Sequence, residues 1–144
     1  MYFKESTDLQ LVESIIKIPE IYQGFNYACG LPMDKFTLDR NTTKKFMIGY
    51  YDDTPICMLI YDEPRCRTKA HFCITNYGRS LIESNVAMSL GINYLVLVYP
   101  EIKALTGNIT VTNEKNIKFY KKSGAKVISY TADDNSYQME LRVQ

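Results

Sequence analysis

The chain carries a single histidine, His71. An imidazole with an unperturbed pKa of about 6.5 can take a proton at neutral pH, so His71 is a candidate general base. It also reads as a histidine on one face of a strand, because it alternates with Cys73. No glutamate lies on that strand; without His71, a base would be a water or a loop carboxylate such as Asp34 or Asp39. Cys57, Cys66, His71 and Cys73 offer the sulfur and nitrogen donors that zinc accepts. The short spacings of a zinc knuckle are missing and no C-x-x-C pair occurs, so reduced thiols and no metal are expected.

A second chemistry is anion binding. Thr75, Asn76, Tyr77, Gly78, Arg79 and Ser80 lead into an apolar periodic run. Backbone N–H groups at a helix start face the positive end of the helix dipole and suit an anion. Gly78 permits close backbone approach, and Ser80 is small. Arg79, Lys115, Lys118 and Lys121 could add positive charge, although such charges on a helix face are usually solvated. Asn113 has the chemistry of a helix N-cap, and Asn116 faces roughly the same turn.

The elements that must position these residues follow from periodicity and punctuation. Residues 2–4 read as a short strand. Ser6-Thr7-Asp8 offers cap oxygens before the stripe of Leu11, Val12, Ile15 and Ile16. Pro19 ends that helix and can begin another, with residues 21–28 helical and Gly30 and Pro32 closing it. Residues 33–45 show no clean period and read as a loop. Strands at 46–51, 56–61 and 68–75 are separated by Asp52-Asp53-Thr54-Pro55 and Asp62-Glu63-Pro64-Arg65, giving an antiparallel meander. Ile82, Val86, Leu90, Tyr94 and Val98 then recur every fourth residue, which predicts the inner face of one unbroken helix over 79–99. Gly91 inside it costs about 1 kcal/mol. A strand at 105–112, a helix from the Asn113 cap to Ser123 stopped by Gly124, and strands at 127–130 and 137–143 complete the order.

This order predicts a mixed α/β sheet with antiparallel N-terminal strands, a central strand–helix–strand crossover and a C-terminal strand pair. The crossover is expected to be right-handed, with a ligand crevice at the carboxyl ends of its strands. With 144 residues, one domain over 1–144 is expected. The formal charge of +1 gives no reason to expect a nucleic acid or a membrane surface as partner. The N-terminus lacks a long apolar segment, so a cytoplasmic protein is expected. No run of about 18 apolar residues suggests a membrane span.

Asn113-Glu114-Lys115-Asn116-Ile117-Lys118-Phe119-Tyr120-Lys121-Lys122-Ser123-Gly124-Ala125 resembles the signature N-x-x-A-x-x-[FL]-Y-x-K-x-G-F of the GCN5-related N-acetyltransferases (GNAT). Asn113, Phe119, Tyr120, Lys122 and Gly124 match, and Ala125 stands where the pattern has Phe. The element order fits along nearly the whole chain. The family's second marker, a Q/R-x-x-G-x-G/A loop before the central helix, corresponds to 75–80, where one glycine remains.

The resemblance implies acetyl-CoA as cosubstrate and direct acyl transfer to a primary amine of unknown identity. Tyr120 takes the place of the family's general acid, with packing of the helix as its structural alternative. His71 lies where the family often places a base. Asn113 would approach the pantetheine arm. Phe72, Ile74 and Thr75 would flank it with backbone groups, and Tyr77 to Ser80 would hold the pyrophosphate. The acceptor would lie against residues 21–45, where Tyr22, Phe25, Tyr27, Met33 and Phe36 suggest an apolar wall. The chain is also similar to small phage-encoded GNAT-like proteins. That second likeness implies an alternative: a non-catalytic virion, head-assembly or host-interaction protein, located in the host cytoplasm or the virion.

Overall fold

A computed structural model describes residues 1–144, with side chains described for all but residues 25–29. Strand β1 (Tyr2–Ser6) leads into helices α1 (Leu9–Ile16) and α2 (Pro19–Cys29). Asp8 caps α1 by accepting from the Leu11 N–H, as its sequence position suggests. A short 3-10 turn, Met33–Lys35, interrupts the following loop. Strands β2 (Lys45–Tyr51), β3 (Thr54–Tyr61) and β4 (Arg67–Ile74) form the expected meander. Asp52 and Asp53 turn the β2–β3 hairpin with φ of 45° and 63°. Two consecutive positive φ values match the twist of the flanking strands, and Asp tolerates them better than most residues.

Helices α3 (Asn76–Leu81) and α4 (Ser84–Val98) then cross to β5 (Ala104–Thr110). Helix α5 (Glu114–Lys122) and the hairpin β6 (Lys126–Thr131) and β7 (Ser136–Arg142) follow. The seven strands make one sheet in the order β1-β2-β3-β4-β5-β7-β6. Only β4 and β5 pair in parallel, over Arg67↔Ala104, Thr68↔Leu105 and Lys69↔Thr106. On one face α1 and α2 cover a core of Val12, Ile16, Phe46, Ile48, Met58 and Cys73. On the other, α4 covers Met47, Cys57, Leu59, Tyr61, Phe72 and Ile74. Cys57 and Cys73, offered above as ligand types, thus lie in cores on opposite sides of the sheet.

The crossover differs from the sequence expectation in two ways. The helix is broken: Ile82 is extended (φ −151°, ψ 145°), and α4 restarts after Glu83. The face is also different. Val86, Leu90, Tyr94 and Val98 are exposed, while Ala87, Met88, Gly91, Ile92 and Leu95 meet the sheet. Both stripes are apolar, so a four-residue recurrence cannot tell inside from outside. Small size decides it. A Cβ on Gly91 would stand 3.0 Å from Phe3 Cε1 and 3.2 Å from Leu59 Cδ1, so Gly91 lets the helix lie close to the strands.

Candidate active site

The sheet opens where β4 and β5 stop pairing. Beyond Lys69 and Thr106 the two strands diverge, and a cleft of about 380 Å³ lies between them. Its walls are the strands themselves, the sheet-facing side of α4 through Met88 and Ile92, and the start of α5 through Asn113, Asn116 and Tyr120.

The hydrogen-bond pattern of β4 fixes what its backbone presents here. The Asp62 N–H donates to Lys69 O at 3.0 Å, and the Thr75 N–H donates to Ile56 O at 2.8 Å. Odd-numbered residues therefore turn their peptide groups toward β3. By the alternation of a strand, Ala70, Phe72 and Ile74 turn theirs toward β5. Consistent with this, the Ala70 carbonyl oxygen lies 3.3 Å from where a Gly107 Cβ would stand. Past Lys69 there is no β5 partner, so the Phe72 peptide group faces the cleft.

Tyr120 stands beside that group. Helix α5 places it: the Asn113 side chain accepts from the Asn116 N–H, and Gly124 at φ 102° ends the helix. Phe119 stacks against Phe72 at 6.4 Å and meets Tyr120 edge-on at 5.2 Å. Burial pushes the Tyr120 phenol up to about 12, while the neighbouring Phe72 backbone N–H acts in the opposite direction. The hydroxyl is thus a proton carrier across the neutral range, held next to a free-facing peptide donor.

His71 projects from β4 on the other side of the sheet, with Cys73 toward α1 and α2. It is on the open wall of the cleft, reached by solvent on one side and crowded by protein on the rest. That crowding lowers its pKa below 6.5, so it is neutral at pH 7. The cleft therefore has two unlike sides. Phe72, Met88, Ile92 and Leu105 make one apolar side with Tyr120. Lys69, His71, Thr106, Asn108 and Thr110 make the other polar.

Of the residues singled out in the sequence, His71, Phe72, Asn113, Asn116 and Tyr120 line the cleft together. Ile74, Thr75, Tyr77, Gly78, Arg79 and Ser80 lie outside its lining. Ile74 ends β4, and the others form α3 and its cap rather than an open loop. Thr75 Oγ1 accepts from the Gly78 N–H at 2.9 Å, and the Glu20 carboxylate accepts from the Asn76 N–H at 2.9 Å. A carboxylate already occupies the anion position at that helix start. Gly78 does permit a close approach, but to β3: a Cβ there would meet Ile56 O at 2.8 Å.

Of the segment 21–45, expected to supply an aromatic wall, Gly24 and Lys44 line the cleft. Tyr22 is buried and packs edge-on against Phe36 at 5.7 Å. The side chains of Phe25 and Tyr27 lie outside the described residues, and Met33 is exposed. Asp34 and Asp39 are loop residues outside the cleft; Asp39 Oδ1 accepts from the Asn41 N–H. Lys69, Thr106, Asn108 and Thr110 were not singled out, although the alternation of polar Thr106, Asn108 and Thr110 with Leu105 and Ile109 marks one polar face of β5.

No sequence-family model matches the chain, and no curated protein matches it by sequence. Solved structures do match its fold. The GNAT domain of S. lividans PAT superposes with a TM-score of 0.69 at 12% identity, over 98% of this chain and 89% of that one. The chain has the GNAT fold. An aminoglycoside N(6')-acetyltransferase from Legionella pneumophila matches at TM-score 0.66 and 21% identity, over 98% of this chain and 91% of that one. The Campylobacter jejuni N-acetyltransferase PseH in complex with acetyl coenzyme A matches at 0.61 and 14%, over 99% and 100% of the two chains. Each of these structures aligns with nearly the whole of this chain. No helix among the described residues is long and apolar enough to cross a membrane.

Proposed function

We propose that this protein is an acetyl-CoA-dependent N-acetyltransferase that acts on a primary amine by direct transfer. The observation that carries the reading is the Phe72 N–H facing an open cleft with the Tyr120 hydroxyl beside it. An acyl transfer needs a donor for the carbonyl oxygen and an acid for the leaving group, and these two groups supply both at one place. Acetyl-CoA, bound by a structural neighbour, would supply an activated acetyl carbonyl. The apolar side of the cleft and the unpaired β4 edge fit a narrow, amide-bearing arm, which Ala70, Phe72 and Ile74 can meet with peptide groups. Asn113 and Asn116 stand at the start of α5 to add polar contacts. For the phosphates, α4 suits better than α3. Its cap, Glu83, makes no side-chain bond, which leaves the first N–H groups of a 15-residue helix unclaimed by a cap.

The balance of the step is simple. A carbon–nitrogen bond forms and a carbon–sulfur bond breaks. The amine must lose a proton and the departing sulfur must gain one. Tyr120, protonated at neutral pH, donates on the apolar side. His71, neutral at pH 7, accepts on the polar side, directly or through water. Much of the rate would come from alignment of amine and thioester. A cleft open to solvent, with Tyr120 on its wall, favours turnover over a purely structural role on the same scaffold. Incubation with acetyl-CoA and a panel of amines, with acetylated product read by mass spectrometry, tests this. Absence of product from every amine would set the reading aside.

A further inference from the structure

The charges around the acceptor side of the cleft are one-sided. No Asp or Glu lines the cleft among the described residues, whereas Lys44 and Lys69 do. Lys44 is ion-paired with Asp62. That Asp62 lies across from Lys69, to whose carbonyl oxygen its N–H donates at 3.0 Å, and Glu140, across from Thr106 in register, is bound by Arg67 at 2.7 Å. Both pairs cancel internally. Lys69 is exposed and makes no ion pair among the described residues, so it is the uncompensated charge on this wall. Thr106, its neighbour in register, and Asn108 and Thr110 beyond it add hydroxyl and amide groups on the same face.

Consider two kinds of amine here. A polyamine or aminoglycoside brings several ammonium groups into a partly enclosed site. Each would lose water without a carboxylate to replace it, and Lys69 would repel it. An amine whose scaffold also bears an anionic oxygen group would instead gain a charge-assisted bond.

Resting on the acetyl-transfer reading above, we propose that the acceptor is an amine carrying a carboxylate or phosphate, that Lys69 holds this anionic group, and that polycationic amines are poor acceptors. This separates the chain in substrate class from the aminoglycoside acetyltransferase that shares its fold. Lys69 is here a specificity residue on the acceptor wall, separate from the groups that handle the protons.

The test uses matched amines with the full chain and acetyl-CoA: glucosamine against glucosamine 6-phosphate, tyramine against tyrosine, and spermidine and kanamycin as polycations. Product is quantified by mass spectrometry, and amine binding in the presence of coenzyme A is followed in parallel by NMR. In at least one pair, the anionic member should exceed its neutral partner in kcat/KM by about threefold to fivefold, the scale of one exposed ion pair. Which pair responds separates phosphate from carboxylate. Lys69→Gln should erase the difference, and Lys69→Glu should reverse it. Spermidine or kanamycin matching the best anionic amine would overturn the proposal while leaving the acetyltransferase reading intact. So would a preference that survives Lys69→Glu. Lys69-dependent binding of anionic amines with no transfer to any amine would sink the acetyltransferase reading and keep the anion site. Neither binding nor transfer would sink both.

Discussion

The Tyr120 hydroxyl stands next to the Phe72 backbone N–H, at the point where β4 parts from β5. The contact joins the end of α5 to a strand 48 positions earlier by number, and it exists because β4 keeps its β3 partner after losing β5. A strand with one bonded edge and one open edge is stiff enough to present a peptide donor. The ring that meets it is held by Phe119 on Phe72. Positioning therefore comes from sheet topology, and burial keeps the phenol protonated at neutral pH.

Tyr120→Phe isolates the hydroxyl. The ring, its contact with Phe119 and the cap of α5 remain, so fold and acetyl-CoA affinity should be kept. Turnover should fall by about 10²–10⁴, the usual contribution of a positioned acid. Thermal melting, calorimetry with acetyl-CoA and product formation, measured on one preparation, check the three parts. An unchanged rate would mean that water protonates the departing sulfur.

The two shifted groups set a pH profile. Burial lowers His71 from 6.5, so its base form is populated above that value and lost as pH falls through the lowered folded pKa. Activity should therefore show an acid limb below about pH 6.5 and a plateau at neutrality. Tyr120, pushed up to about 12, keeps its proton through pH 9, so it should impose no alkaline limb below that. The stability linkage has the same sign. The unfolded chain binds the His71 proton more tightly, so His71 favours folding above pH 6.5 and this contribution is lost as pH drops. In His71→Ala the acid limb in kcat/KM should disappear, and the rate above it should fall.

Away from the cleft, Glu5 Oε1 accepts from both Tyr61 at 2.8 Å and Tyr99 at 2.6 Å. It ties the edge strand β1 to β3 and to the end of α4. Tyr61 is fully buried, so Glu5→Ala would leave its hydroxyl without this partner. A loss of about 1–3 kcal/mol is expected from that unsatisfied group. Urea unfolding of the variant against wild type reads it directly, and the cleft chemistry should be unaffected in the folded protein.

Local signals carried most of the fold. Asp8, Asn113 and Gly124 announced helix ends, and Asp52-Asp53 announced a hairpin, because each acts on its own neighbouring backbone. Tyr120 was found through its register within a motif. The facing of α4 was not legible, since a helix apolar on both sides is oriented by which side is small enough to approach the sheet. Lys69 was not legible either. An exposed lysine in a strand looks like any other until two strands part, and the pairs Lys44–Asp62 and Arg67–Glu140 leave it without an ion pair among the described residues.

Gly78 shows how one residue can match a motif for a different reason. As part of an anion loop, its lack of a side chain would serve a ligand, and a substitution would weaken acetyl-CoA binding. In the structure its N–H is taken by Thr75, and its Cα faces β3, where a Cβ would meet Ile56 O at 2.8 Å and Ile74 Cγ1 at 2.9 Å. The first of these is backbone and cannot swing away. Gly78→Ala should therefore cost about 1–3 kcal/mol of stability through overpacking. Acetyl-CoA affinity of the folded variant should stay within about twofold of wild type, well under the tenfold that 1.4 kcal/mol of lost contact would give. Denaturant unfolding gives the first quantity, and calorimetry below the unfolding range gives the second. A stable variant with weakened binding would return the phosphates to the start of α3. An unstable variant with normal binding would place them elsewhere, with the uncapped start of α4 as the next position to alter.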